Sequence, residues 1–99
     1  MLIYEVTATV DSKLTAEYEK YMVEQHIPDL LATGHFQAAF FAKNVLQYKI
    51  GYHAESQKQL DRYFADHAER LRADLKEQFP TGIEFSRQIF EIVKLFPSP

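Results

Sequence analysis

The sequence has no cysteine and no tryptophan, only three glycines, and no excess of basic charge. Without cysteine there can be no disulfide framework, no thiolate nucleophile and no thiolate-bound metal. The glycines stand alone at 34, 51 and 82, so there is no glycine-rich loop to cradle a phosphate. Eleven Lys and Arg face fourteen Asp and Glu, for a formal charge of −3. That balance lacks the basic footprint of a nucleic-acid binder. No stretch reaches the roughly 18 apolar residues of a membrane helix, and Met1-Leu2-Ile3-Tyr4-Glu5 lacks the basic start of a leader. The expected location is therefore cytoplasmic, with no membrane partner. Aromatic residues, by contrast, are plentiful: six Tyr and eight Phe. Such rings bury large areas and can make a small core or interface sufficient. The 99 residues read as a single domain, 1–99. A chain of this size buries only about two-thirds of its extended surface, which leaves apolar area for a subunit contact.

Leu2 to Val10 alternates with period two, placing Leu2, Tyr4, Val6, Ala8 and Val10 on one face and Ile3, Glu5, Thr7 and Thr9 on the other. This is a strand. Leu14, Tyr18, Tyr21, Met22 and Gln25 then follow helical spacing, with Thr15 as a candidate cap. Pro28 is expected to stop this helix at His26-Ile27, because the residue before a proline is biased away from α geometry. One further turn, Asp29 to Thr33, closes on Gly34. Phe36–Lys43 and Val45–Ala54 read as two strands joined by a tight turn at Asn44. Ser56-Gln57-Lys58-Gln59 matches a capping box, and Leu60, Tyr63, Phe64, Ala68, Leu71, Leu75 and Phe79 continue one apolar face. Asp66-His67-Ala68-Glu69 repeats the capping pattern, so a bend or restart is expected near Asp66. Pro80 and Gly82 end the helix, and Ile83–Phe96 reads as a long final strand. Pro97-Ser98-Pro99 cannot extend a sheet.

This β-α-β-β-α-β order predicts an α+β, ferredoxin-like fold: a four-stranded antiparallel sheet of order 4-1-3-2 with both helices on one face. The helix-covered face should carry Tyr4, Val6, Tyr48, Ile50, Tyr52, Phe90 and Ile92. The open face should carry Glu5, Thr7, Lys49, Gly51, His53, Arg87 and Glu91, with Ile3, Ile89 and Val93. An open face that mixes apolar and charged residues is expected to pair with a second copy of the chain, giving a homodimer, a dimeric α+β barrel.

Several of these residues coincide with a known family. His26-Ile27-Pro28-Asp29-Leu30-Leu31-Ala32-Thr33-Gly34-His35-Phe36 resembles the signature of DUF4286, and Ile3-Tyr4-Glu5-Val6-Thr7 resembles that family's first strand. Tyr48 with Tyr52, Glu55-Ser56, His67-Ala68 with Leu71, and Arg87 with Glu91 match as well. The resemblance implies a dimeric, ferredoxin-like α+β barrel and no established activity. Gly51 stands where a glutamine is usual, Asp74-Leu75 replaces an acid-histidine pair, and the link between the middle strands is short.

His26 is the candidate catalytic residue: a helix end aims it towards a cavity, and its pKa suits proton transfer near neutral pH. The competing reading is a histidine stabilised by the helix C-terminus. Arg87 is the candidate ligand anchor, since a guanidinium grips a carboxylate or phosphate bidentately. Glu5, His53, His67 and Glu91 complete the candidate binding set. A cross-strand charge ladder, Glu5 with Arg87 and with Lys49, explains the same charges without a ligand. Tyr18, Tyr21, Tyr48 and Tyr52 fit core positions. No metal site or cofactor is expected, because no spacing supplies a third ligand to His26 and Asp29. The leading reading is a homodimer that binds a small anionic or aromatic molecule between sheet and helices. One alternative is a cofactor-free oxygenase or isomerase using His26. The other is a structural or regulatory dimer with no ligand.

Overall fold

A computed structural model describes residues 1–99. The opening alternation forms β1 (Leu2–Val10), with Tyr4, Val6 and Ala8 buried. α1 (Thr15–Tyr21) follows, but its cap is Leu14. The Thr15 hydroxyl turns back instead to donate to the Ser12 carbonyl at 3.3 Å.

The helix does not stop at Pro28. It passes through a π-helical turn, Met22–His26, into α2 (Ile27–Ala32). The expected break at His26-Ile27 is therefore corrected: Ile27 has φ −63° and ψ −46°, and its N–H donates to the Met22 carbonyl five residues back. Pro28 directly follows the residue that makes this five-residue bond. The wide turn absorbs the clash that a proline would otherwise cause. It also changes which residues face inward. Steps of four advance an ordinary helix by about 40° each, so a stripe built on them drifts. Here Tyr18, Met22, His26 and Leu30 are all buried, because the wide turn takes up the drift. Gln25, expected on the apolar face, is exposed and donates to Asp29 Oδ2 at 2.9 Å. Gly34, at φ +82°, ends the segment as expected.

β2 (Ala38–Lys43) and β3 (Tyr48–Ala54) pair antiparallel. Their connection is longer than the one-residue turn expected. Asn44 Oδ1 accepts from the backbone of Leu46 and Gln47, and the Asn44 N–H donates to the Gln47 carbonyl. Val45 and Leu46 are the exposed tip. α3 (Gln57–Asp66) is capped by Ser56, which accepts from the Gln59 N–H at 3.3 Å. The expected restart occurs at His67, and α4 (Ala68–Gln78) continues from there without a side-chain cap from Asp66.

β4 (Ile83–Glu91) pairs with β1, and the sheet order is β2-β3-β1-β4, the expected 4-1-3-2 read from the other edge. β3 also pairs with β1, and all pairings are antiparallel. Tyr4, Val6, Tyr48, Ile50 and Tyr52 lie under the helices as predicted.

Two expectations for β4 are corrected. The strand ends at Glu91 rather than Phe96, because β1 offers no partner beyond Met1, whose carbonyl accepts the Ile92 N–H at 2.9 Å. Its parity is also opposite to the prediction. Phe85 stands across from Ala8, Arg87 from Val6, Ile89 from Tyr4 and Glu91 from Leu2, so all four point to the helix side. Phe90 stands across from Ile3 on the open face. Ile83 and Phe85 set the register by packing against the core. From Ser86 to Glu91 every residue is exposed, so the second half of the strand has no buried face to enforce a pattern.

Two groups of rings fill the space between sheet and helices. Tyr4, Phe36, Tyr52, Tyr63 and Phe64 form one, with neighbouring centroids 4.8 to 6.5 Å apart. Tyr18, Tyr21, Phe41, Tyr48 and Phe79 form the other. Both groups use the offset and edge-on geometries that aromatic quadrupoles prefer.

Candidate functional site

A small chamber opens between the two ring groups. It is lined by Tyr18, Met22 and His26 from the first helical segment, by Tyr4, Val6, Ile50 and Tyr52 from the sheet, and by Tyr63, Arg72 and Leu75 from the second helical layer. Phe85 and Arg87 of β4 close it. About 20 Å3 is open to the centre of a water-sized sphere, room for one water on that measure. The chamber adjoins a cleft between α4 and β4, which has Arg72, Leu75, Phe85 and Arg87 in common with it. Lys76, Phe79, Pro80 and Ile83 complete the cleft, whose volume is about 250 Å3.

The chamber is chemically unusual for a core. Tyr18 is fully buried, and its hydroxyl has no hydrogen-bond partner in the protein. Such a group normally finds one, because leaving it unpaired costs about 1–3 kcal/mol. Burial raises the Tyr18, Tyr52 and Tyr63 phenols well above their ordinary pKa, so all three stay protonated donors. The Arg87 charge reaches these three phenols and His26. The Tyr4 hydroxyl accepts from Arg72 Nη2 at 3.1 Å.

His26 is 7% exposed and lies against the Tyr21 ring, with centroids 6.1 Å apart. Loss of solvation lowers its pKa to about 4; Arg87 adds to that effect, while Asp29 and Asp74 oppose it. The ring is therefore neutral at pH 7. The helix-terminus reading of His26 does not hold, because the helix runs straight past it.

Of the other candidates, only Arg87 joins His26. The correction to the β4 parity accounts for this, since it moves Arg87 from the open face to the chamber. Glu91 shares that side but lies at the exposed end of the strand, opposite Leu2. Glu5 is on the open face, with Lys49 Nζ at 3.5 Å from its carboxylate. The Glu5–Arg87 half of the expected ladder is ruled out by their opposite faces, and the Glu5–Lys49 half forms. His53 is also on the open face, between Ile3 and Ala38. His67 sits at the joint of α3 and α4, its ring 5.4 Å from that of His35, which in turn bonds Gln59 Oε1 at 2.7 Å.

The sequence reading missed Arg72, Lys76 and the phenol ring of the chamber. Arg72 and Lys76 are four apart on one helix, a spacing that puts two cations on one side. The tyrosines fit core positions in the sequence, so their spacing carries no sign of a polar role. No group of three or more His, Asp or Glu side chains converges to hold a metal. No helix is long and apolar enough to cross a membrane.

No protein of curated function matches the chain in sequence. Several solved structures share its fold. The cofactor-independent oxygenase SnoaB from Streptomyces nogalater superposes with a TM-score of 0.76 at 12% identity, over 98% of this chain and 97% of that one. The heme-degrader MhuD from Mycobacterium tuberculosis, with two hemes bound in its active site, gives 0.74 at 15% identity, over 98% and 100%. A dimeric ferredoxin-like protein from an uncultured marine organism gives 0.72 at 11% identity, over 99% and 100%. At these identities the likeness establishes the ferredoxin-like α+β fold and nothing about chemistry. The model of the family described as "Domain of unknown function (DUF4286)" matches residues 1–93, and the chain belongs to that family.

Proposed function

We propose that this protein, a single domain over residues 1–99, binds a small anionic or aromatic molecule between its sheet and its helices, and that it works as a homodimer paired through the open face of the sheet. The observation that carries the ligand reading is the chamber itself. A fully buried, unpartnered Tyr18 hydroxyl, a neutral buried His26 and the Arg87 guanidinium all line it. A core built only for packing would satisfy or omit these groups. The dimer reading is supported by the open face, where Phe40 and Phe90 are 41% and 46% exposed and Ile3 is half-buried. The solved dimeric ferredoxin-like protein of the same fold is consistent with it.

The test is mass spectrometry of whatever co-purifies with the wild-type protein and with Arg87→Met and His26→Ala. A small molecule retained by the wild type and lost from Arg87→Met supports the reading. A wild-type protein that carries nothing, and whose chamber resonances ignore a panel of aromatic and anionic compounds, refutes it.

A second reading is a cofactor-free oxygenase or isomerase in which His26 takes a proton from the bound molecule. Its support is the position of His26, buried and lining the chamber; the expected near-neutral pKa is corrected to about 4 by burial, so the step requires a bound molecule with an acidic proton. On this reading His26→Gln retains binding and loses turnover. Unchanged turnover in His26→Gln removes it.

A further inference from the structure

The cleft outside the chamber poses a separate question of charge. The chain carries an acidic excess, fourteen Asp and Glu against eleven Lys and Arg. Even so, Arg72, Lys76 and Arg87 converge on one opening, and none has a carboxylate within ion-pair distance. The two ion pairs of the molecule, Lys43–Glu19 and Lys49–Glu5, lie elsewhere. Arg72 is fixed by its bond to the Tyr4 hydroxyl, and the Arg87 guanidinium lies 5.2 Å from the centre of the Phe85 ring. Both cations are thus partly positioned before any ligand arrives. The walls between them are apolar: Leu75, Phe79, Pro80, Ile83 and Phe85. Cationic groups at the rim of an apolar trough suit a molecule with one anionic group and an apolar body. An inorganic anion would leave the apolar wall unused, and a neutral hydrocarbon would leave three cations unpaired.

We propose that the cleft between α4 and β4 is the entry and binding site for an organic acid of one or two rings, its carboxylate held by Arg72, Lys76 and Arg87 and its ring body lying on Phe85 and Phe79. The volume of about 250 Å3 fits a ligand of that size rather than a large cofactor. Arg72 and Arg87 line both the cleft and the chamber, so the carboxylate they hold lies where the two meet. This inference rests on the ligand reading above and names its chemistry. It moves the main contacts outwards, from the one-water chamber to the cleft.

Calorimetric titration of the purified protein with three probes tests the proposal: 2-naphthoate, the neutral 2-naphthalenemethanol, and inorganic phosphate. 2-Naphthoate should bind at least about tenfold more tightly than either, the effect of one charge-assisted hydrogen-bonded pair. Lys76→Gln, an exposed change away from the core, should weaken 2-naphthoate several-fold and leave 2-naphthalenemethanol unaffected. If the neutral probe binds as tightly as the acid, the organic-acid assignment falls while the pocket reading survives. If phosphate binds as tightly as 2-naphthoate, the apolar wall has no role and the assignment falls likewise. If no probe binds and none perturbs a resonance of the chamber or cleft, both readings fail together.

Discussion

The two faces of the sheet carry similar residues and treat them differently. On the open face a charge pair is made: Glu5 has Lys49 beside it. The space there is filled too, since the Phe40 ring lies over Gly51 so closely that a Cβ would meet it at 2.1 Å. On the helix-covered face the rings pack densely, yet the polar groups among them are left short of partners. The Tyr18 hydroxyl is unbonded and Arg87 has no carboxylate. A face that exposes the Phe40 and Phe90 rings beside a made ion pair is suited to meeting a second copy of itself. A face that leaves donors and cations unsatisfied is suited to meeting something smaller. The contrast assigns the two proposed roles, dimer and ligand, to opposite sides of one sheet.

The largest expected effect is on the packed side. Ile50 is fully buried in the centre of that face, so Ile50→Ala should cost about 2–5 kcal/mol. For a domain of this length each kcal/mol lowers Tm by about 4–8 °C, and thermal unfolding measures it. A drop under about 3 °C would mean the helices cover that face loosely.

The acid limb comes next. The pKa of His26 falls from its ordinary 6.5 to about 4 on folding. The unfolded chain therefore binds a proton that the folded chain refuses between those values. The contribution of neutral His26 is fully present above pH 6.5, is lost as pH falls towards 4, and changes no further below that. The difference is about 3 kcal/mol. Unfolding curves from pH 8 to pH 4 should show that loss, and His26→Gln should flatten it. An equal slope in the variant would place the acid sensitivity elsewhere.

On the open face, Gly51→Ala should drive the Phe40 ring outwards. The atoms it meets are the far end of a side chain on an edge strand, so the monomer should lose only about 1 kcal/mol. The dimer, by contrast, should dissociate at higher protein concentration in sedimentation velocity. Unaltered association would move the interface off this face. Lys49→Ala should have the smallest effect, since an exposed ion pair is worth about 0–1 kcal/mol.

How much of this could be read in the sequence follows the same division. Strand β1 and the middle of β3 were legible because one face is buried along their whole length, and burial writes a strict alternation. The bend at Asp66-His67 was legible from the repeated capping pattern, although His67 rather than Asp66 sits at the joint. β4 was misread because only Ile83 and Phe85 are held against the core. Beyond them Phe90 and Ile89 compete for the pattern with no buried face to decide. That single slip puts Arg87 on the open face, away from His26, whereas the register places it on the helix side. Pro28 misled for a different reason. The rule that proline ends a helix assumes that the next hydrogen bond must run four residues back. The π-turn at Met22–His26 supplies one that runs five back, and nothing in local propensity announces it. For the same reason His26 reads in the sequence as a helix end, and is instead a buried member of the inward stripe.

The most direct test of the division between the faces is to map 2-naphthoate on the isotope-labelled protein by NMR. The account predicts shifts concentrated at Arg72, Leu75, Phe85 and Arg87, reaching Tyr18 and His26, with Ile3, Phe40 and Phe90 unmoved. Shifts confined to Ile3, Phe40, His53 and Phe90 would contradict it, because the ligand would then sit on the face assigned to the partner.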